Sequence, residues 1–161
     1  MAINVGDRIP DATLMKLGDK GPVPVKASDF FKGRKVVVFA LPGAFTPTCS
    51  NQHLPGFIQK AGDIKSKGVD EIACISVNDA FVMGAWGKQQ GAEGKVTMLG
   101  DGNGEFTKKL GLDFDGSGFG MGTRSLRYSM LVEDGVVKSL NKEANPGEAK
   151  ISGAENMLSQ L

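Results

Sequence analysis

A chain of 161 residues with 40% hydrophobic and 23% charged residues is long enough to bury a single core and is neither disordered nor fibrous in composition. Its 19 Lys and Arg nearly cancel 18 Asp and Glu, and no run of like charge gathers anywhere, which argues against nucleic acid or a membrane surface as partner. Two cysteines, Cys49 and Cys74, are too few for a disulfide scaffold, the longest apolar run (36–41) is far too short to span a bilayer, and no basic segment leads into an apolar stretch at the N-terminus, so a cytoplasmic location is expected.

No repeat, low-complexity tract or linker interrupts the chain, so residues 1–161 are expected to form one domain. The first strong signals are VVVFAL at 36–41 and IACISV at 72–77, six residues each and β-rich, as buried central strands are. Between them Leu54, Phe57, Ile58, Ala61 and Ile64 recur at helical spacing over 50–67, with Gly68 as the stop, making a βαβ unit. Asn78-Asp79 is an N-cap pair for a helix over 80–90. Residues 97–99 suit a short strand and 105–110 a short helix. The runs 128–132 and 136–140, joined through Asp134-Gly135, read as a hairpin, and a helix over 154–161 closes the chain. That order implies an α/β architecture in which a central mixed sheet is flanked by helices, the layout of thioredoxin-like folds.

The chemistry concentrates where the first buried strand ends. LPGAFTPTCS, residues 41–50, brings Cys49 into the first turn of the following helix, where unpaired N–H groups and the helix dipole favour an anion. A thiol in such a place ionises more readily than its reference of about 8.5. Moving a thiol from about 8.5 to about 6 needs roughly 3.4 kcal/mol. The dipole supplies about 1–2 kcal/mol of it, so a nearby cation, a buried guanidinium, is expected to supply the rest. Ionisation alone gains only about 30-fold in rate, so preorganised donors must also act on the group under attack, and the Thr46 hydroxyl and the Cys49 N–H are suited to hold it. Pro42 and Pro47 stiffen the loop and keep water off the sulfur.

The pattern Pro42, Thr46, Cys49 (P-x-x-x-T-x-x-C) resembles the active-site signature of peroxiredoxins, and PGAFTPTCSNQHLPGF (42–57) resembles the type II, peroxiredoxin 5 branch. Similarity continues through SVNDAFVMGAW (76–86) and GMGTRSLRYSM (120–130). The resemblance implies a thiol-dependent peroxidase acting on hydrogen peroxide and organic hydroperoxides through a Cys49 sulfenic acid, with no metal, flavin or haem cofactor. It also implies that Arg127, ahead of Tyr128, is the expected guanidinium, with Arg124 a lesser candidate, and that the chain pairs as a homodimer.

Cys74 lies within an apolar strand and reads first as a small buried hydrophobe. In some type II relatives a cysteine at this place resolves the sulfenic acid, which from a buried strand would need local unfolding. The family's alternative C-terminal resolving cysteine is missing from 149–154 (AKISGA), so an external thiol is expected to reset the enzyme, glutaredoxin with glutathione ahead of thioredoxin. His53, the sole histidine, could orient the loop or meet a reductant, but a structural or surface role outweighs either. Asp101, Asn103 and Glu105 begin like a calcium loop, yet Phe106 and Leu112 stand where Gly and Glu are needed, leaving a solvated turn. Gly116, Gly118, Gly120 and Gly122 make no dinucleotide fingerprint, since Met121 breaks the pattern and no strand is expected before it. Trp86 and Phe81 suit either core or a dimer face. A thiol-disulfide oxidoreductase would want Cys-x-x-Cys, and the positions three before and after Cys49 hold Thr46 and Gln52. A non-catalytic redox sensor or holdase on the same fold is the remaining alternative.

Overall fold

In the computed structural model, which describes residues 2–161, the chain opens with a hairpin that the sequence did not betray, β1 (Thr13–Gly18) and β2 (Gly21–Lys26). Only Leu14 of these strands is buried and β2 carries Pro22 and Pro24, which a strand tolerates at a sheet edge, where β2 lies. A single turn, α1 (Ala27–Phe30), leads into β3 (Lys35–Ala40), whose last five residues are all buried. A π-helical turn, Cys49–His53, follows, then α2 (Leu54–Ser66), β4 (Glu71–Ser76), α3 (Ala80–Gln90) and β5 (Thr97–Gly100). Next come α4 (Glu105–Leu110), the short pair β6 (Asp113–Asp115) and β7 (Thr123–Ser125), the hairpin β8 (Tyr128–Glu133) and β9 (Val136–Lys142), and α5 (Ala154–Ser159).

Seven strands form one mixed sheet in the order β2-β1-β5-β4-β3-β8-β9. β3, β4 and β5 run parallel, as βαβ units require, while β8 lies antiparallel to β3 and β1 antiparallel to β5. Asp134 and Gly135 both have positive φ (47° and 79°), which a tight hairpin turn demands and which Asp-Gly accepts at little cost. This is a thioredoxin-like fold with a mixed central sheet between helices.

Alternation along the buried strands divides the core into two layers. Val36, Val38 and Ala40 face one side with Phe31, Phe106 and Leu110. Val37, Phe39 and Cys74 face the other, against Leu54, Phe57, Ala61 and Ile64 of α2 and Met83 and Trp86 of α3. Phe39 and Phe57 stack with centroids 4.1 Å apart, so the helix carrying the turn at Cys49 is clamped to the strand that precedes it.

Two expectations change here. Asp101 is no solvated turn residue: it is buried, and its carboxylate accepts the N–H groups of Phe106 (3.2 Å) and Thr107 (2.8 Å), capping α4. A strand, β6, does precede Gly116, although a 3-10 turn (Ser117–Phe119) and another strand follow it, not the helix a dinucleotide site needs.

Candidate active site

β3 ends at Ala40 and delivers the chain into the loop 41–48 in the middle of the sheet. Pro42 and Gly43 are buried, while Phe45, at φ 65°, turns the backbone outward and is exposed. Asn78 ties this loop to the end of β4: its Oδ1 accepts from Ala44 N (3.0 Å) and from Ser76 Oγ (2.7 Å). Asp79 alone is the helix cap, accepting from Val82 N at 2.8 Å. Arg124 braces the loop from outside, donating to the carbonyls of Pro42 (3.2 Å) and Met121 (2.9 Å). A Cβ on Gly43 would stand 2.9 Å from its Nη1, so a larger residue there would push the guanidinium aside.

Cys49 is fully buried and opens the π-helical turn, in which the Leu54 N–H reaches back to the Cys49 carbonyl. Trp86, itself buried, donates its indole N–H to Ser50 Oγ at 3.0 Å and pins the next residue. Arg127, immediately before β8, is buried beneath the sulfur. Its Nη2 donates to Cys49 Sγ at 3.1 Å, its Nε to the Pro146 carbonyl at 2.8 Å, and its Nη1 points at His53 Nδ1, 2.9 Å away. A buried guanidinium is costly unless an anion and hydrogen bonds answer it. Among the described residues, Cys49 is the one acidic side chain hydrogen-bonded to it.

The Thr46 hydroxyl donates to the Gly43 carbonyl at 2.7 Å. Its proton is therefore committed, which leaves lone pairs free where the sequence predicts a donor. Thr48 crosses to the C-terminal segment, donating to the Gly147 carbonyl at 2.8 Å. His53 is not on the surface. It is buried, with Nε2 3.0 Å from the Ser152 carbonyl, and burial together with the Arg127 charge pushes its pKa down to about 3. Ser152 in turn donates from N (2.7 Å) and Oγ (2.6 Å) to the buried Glu143 carboxylate. Cys74 is buried on β4, and burial pushes its thiol well up, while Cys49 nearby adds to the shift. Both cysteines are free thiols. Trp86 is core, whereas Phe81 is exposed. Among the described residues no three His, Cys, Asp or Glu side chains gather to hold a metal.

The geometry sets a buried thiol against a buried guanidinium. The Redoxin family model matches residues 4–158. Peroxiredoxin-2E, chloroplastic, of Arabidopsis thaliana is 54% identical over 166 residues, covering 99% of this chain and 70% of that protein. The chain belongs to the peroxiredoxin family. Structures place this peroxiredoxin similarly: reduced Prx3 from Vibrio vulnificus in complex with H2O2 superimposes with a TM-score of 0.94 at 52% identity, covering 98% of each chain. Peroxiredoxin 5 from Alvinella pompejana, at 38% identity over 98% of this chain and 96% of its own, gives 0.84, in keeping with the type II, peroxiredoxin 5-like branch. This peroxiredoxin is thus an oxidoreductase, a thiol-dependent peroxidase.

Sequence reasoning missed Glu143, Ser152 and Thr48, and undervalued His53. Thr48 and His53 bond to backbone carbonyls 99 positions away, and Ser152 meets Glu143 through its backbone N–H as well as its hydroxyl, which leaves little side-chain pattern to read.

Proposed function

We propose that Cys49 is the peroxidatic nucleophile toward hydrogen peroxide and organic hydroperoxides, with Arg127, Thr46 and Pro42 completing its site. The thiolate attacks the near oxygen, the O–O bond breaks, and its electron pair leaves with the far oxygen as hydroxide or alkoxide, which takes a proton to become water or an alcohol. Cys49 is left as a sulfenic acid. The Thr46 lone pair accepts the peroxide O–H and holds the attacked oxygen in line, while the unassigned N–H of Arg127 Nη2 stabilises charge spreading across the two oxygens. Pro42, buried in the loop, excludes water. The single observation that carries this reading is the 3.1 Å contact between a buried guanidinium and a buried thiol.

Reset falls to an external thiol, with glutaredoxin and glutathione the first choice and thioredoxin the second. One thiol condenses with the sulfenic acid, releasing water and forming a mixed disulfide, and a second thiol displaces Cys49 from it. Cys74 supports this by exclusion, because a buried, protonated thiol on a central strand is a poor internal partner. A cytoplasmic homodimer is part of the same proposal, with the exposed Phe45 and Phe81 the side chains such a face would cover. Peroxide consumption with glutaredoxin and glutathione is the test. Cys49→Ser should abolish it and Cys74→Ser should leave most of it, and equal loss in both variants would overturn the reset scheme.

A further inference from the structure

We infer that His53 is a positioning residue of the peroxidase site, a neutral imidazole whose Nδ1 lone pair takes one N–H of Arg127 and so aims the guanidinium at Cys49. The inference rests on the proposed roles of Cys49 and Arg127 and goes beyond them to what holds Arg127 in place. The partners of His53 dictate its tautomer. Arginine has only donors, so Nδ1, 2.9 Å from Nη1, must accept; a carbonyl has only acceptors, so Nε2, 3.0 Å from the Ser152 oxygen, must carry the proton. Protonating Nδ1 would set N–H against N–H beside a buried positive charge, in line with the strongly lowered pKa.

Three directed bonds then define the guanidinium plane: Nε to Pro146, Nη1 to His53 and Nη2 to Cys49. The imidazole cannot rotate away, because Phe39 and Phe57 wall it with ring centroids 5.0 and 5.7 Å off. Its far nitrogen is anchored as well. Ser152 is gripped twice by Glu143, and the Glu143 N–H donates at 3.0 Å to the carbonyl of Arg127. The hydrogen bonds therefore run from the Arg127 side chain through His53, Ser152 and Glu143 and return to the Arg127 backbone. All four residues are buried, so water cannot substitute for a missing partner.

Two measurements test this. Nitrogen-15 NMR of the single histidine in the wild-type protein should show Nδ1 bare and Nε2 protonated from about pH 5 to 8, where a free histidine would titrate. A protonated Nδ1, or titration within that range, overturns the inference whether or not peroxide is consumed. The second compares rate constants for hydrogen peroxide in two variants. His53→Asn keeps an oxygen near the Nδ1 position, whereas His53→Gln reaches toward Ser152 and withdraws the acceptor from Arg127. The expected loss is about tenfold or more for His53→Gln and within about threefold for His53→Asn. Packing alone would favour the larger glutamine, so equal losses or the reverse order sink the positioning role. A wild-type protein that consumes no peroxide would instead defeat the proposed function.

Discussion

In the proposed mechanism Thr46 and Arg127 divide the work on a peroxide, and their own hydrogen bonds support that division. Because the Thr46 hydroxyl spends its proton on Gly43, the proposed role for it is that of an acceptor, which a serine hydroxyl can also fill. Thr46→Ser should therefore keep the rate constant for hydrogen peroxide within a few-fold, while Thr46→Val should cost about a hundredfold, as removal of one preorganised polar group does. Arg127→Lys keeps a charge but cannot reach Pro146, His53 and Cys49 at once, so stopped-flow kinetics should find it closer to Arg127→Gln than to wild type. His53 also leaves a mark on stability. Folded, it stays neutral down to about pH 3, whereas an unfolded histidine protonates near 6.5. The unfolded state thus binds a proton that the folded state refuses; the stability present above pH ~6.5 falls as pH drops, by up to about 1.4 kcal/mol per unit. Denaturant titrations at about pH 7 and 5 should show that loss in wild type and not in His53→Asn, with Arg127 the charged group facing position 53 in both.

The π-helical turn is the element on which the site depends. It joins Cys49, Ser50 and His53 and is fastened by Trp86 on α3, by Arg127 before β8 and by the segment 146–152. In the proposed reaction, oxidation of Cys49 to a sulfenic acid changes the partner of Arg127 Nη2, the fastening that the sulfur itself holds. Since Trp86 is the sole tryptophan and bonds to Ser50, its fluorescence should change on adding one equivalent of peroxide, and should stay constant in Cys49→Ser. Much of this scaffold was legible in the sequence. β3, β4 and the β8–β9 hairpin announce themselves by continuous apolar runs and by an Asp-Gly turn, and α3 by its cap. β1, β2, β6 and β7 do not, because their residues are mostly exposed and β2 carries two prolines. Within the site, Cys49, Thr46 and Arg127 came from a recognisable pattern, but the proton direction at Thr46 and the circuit through Ser152 and Glu143 depend on backbone carbonyls brought together only by folding.

For the whole molecule, the thioredoxin-like sheet acts as the frame that brings residue 127 to residue 49. β3 and β8 are hydrogen-bonded neighbours, with Ala40 paired to Tyr128, so the loop after one strand and the arginine before the other meet at the same end of the strand pair. α2 and the two-layer core make that meeting rigid. Phe57→Ala would remove the stack on Phe39 and should cost about 3–5 kcal/mol in denaturant unfolding, with the peroxide rate constant falling as the turn at Cys49 loosens. The central claim is that one buried thiol, held by one guanidinium, does the chemistry. Its most direct test is to add one equivalent of hydrogen peroxide to the reduced protein without any reductant, trap sulfenic acid with dimedone and locate the adduct by mass spectrometry. One adduct per chain on Cys49, matching the peroxide consumed and absent from Cys49→Ser, is the expected result. An adduct on Cys74, or undiminished peroxide consumption by Cys49→Ser, would contradict it.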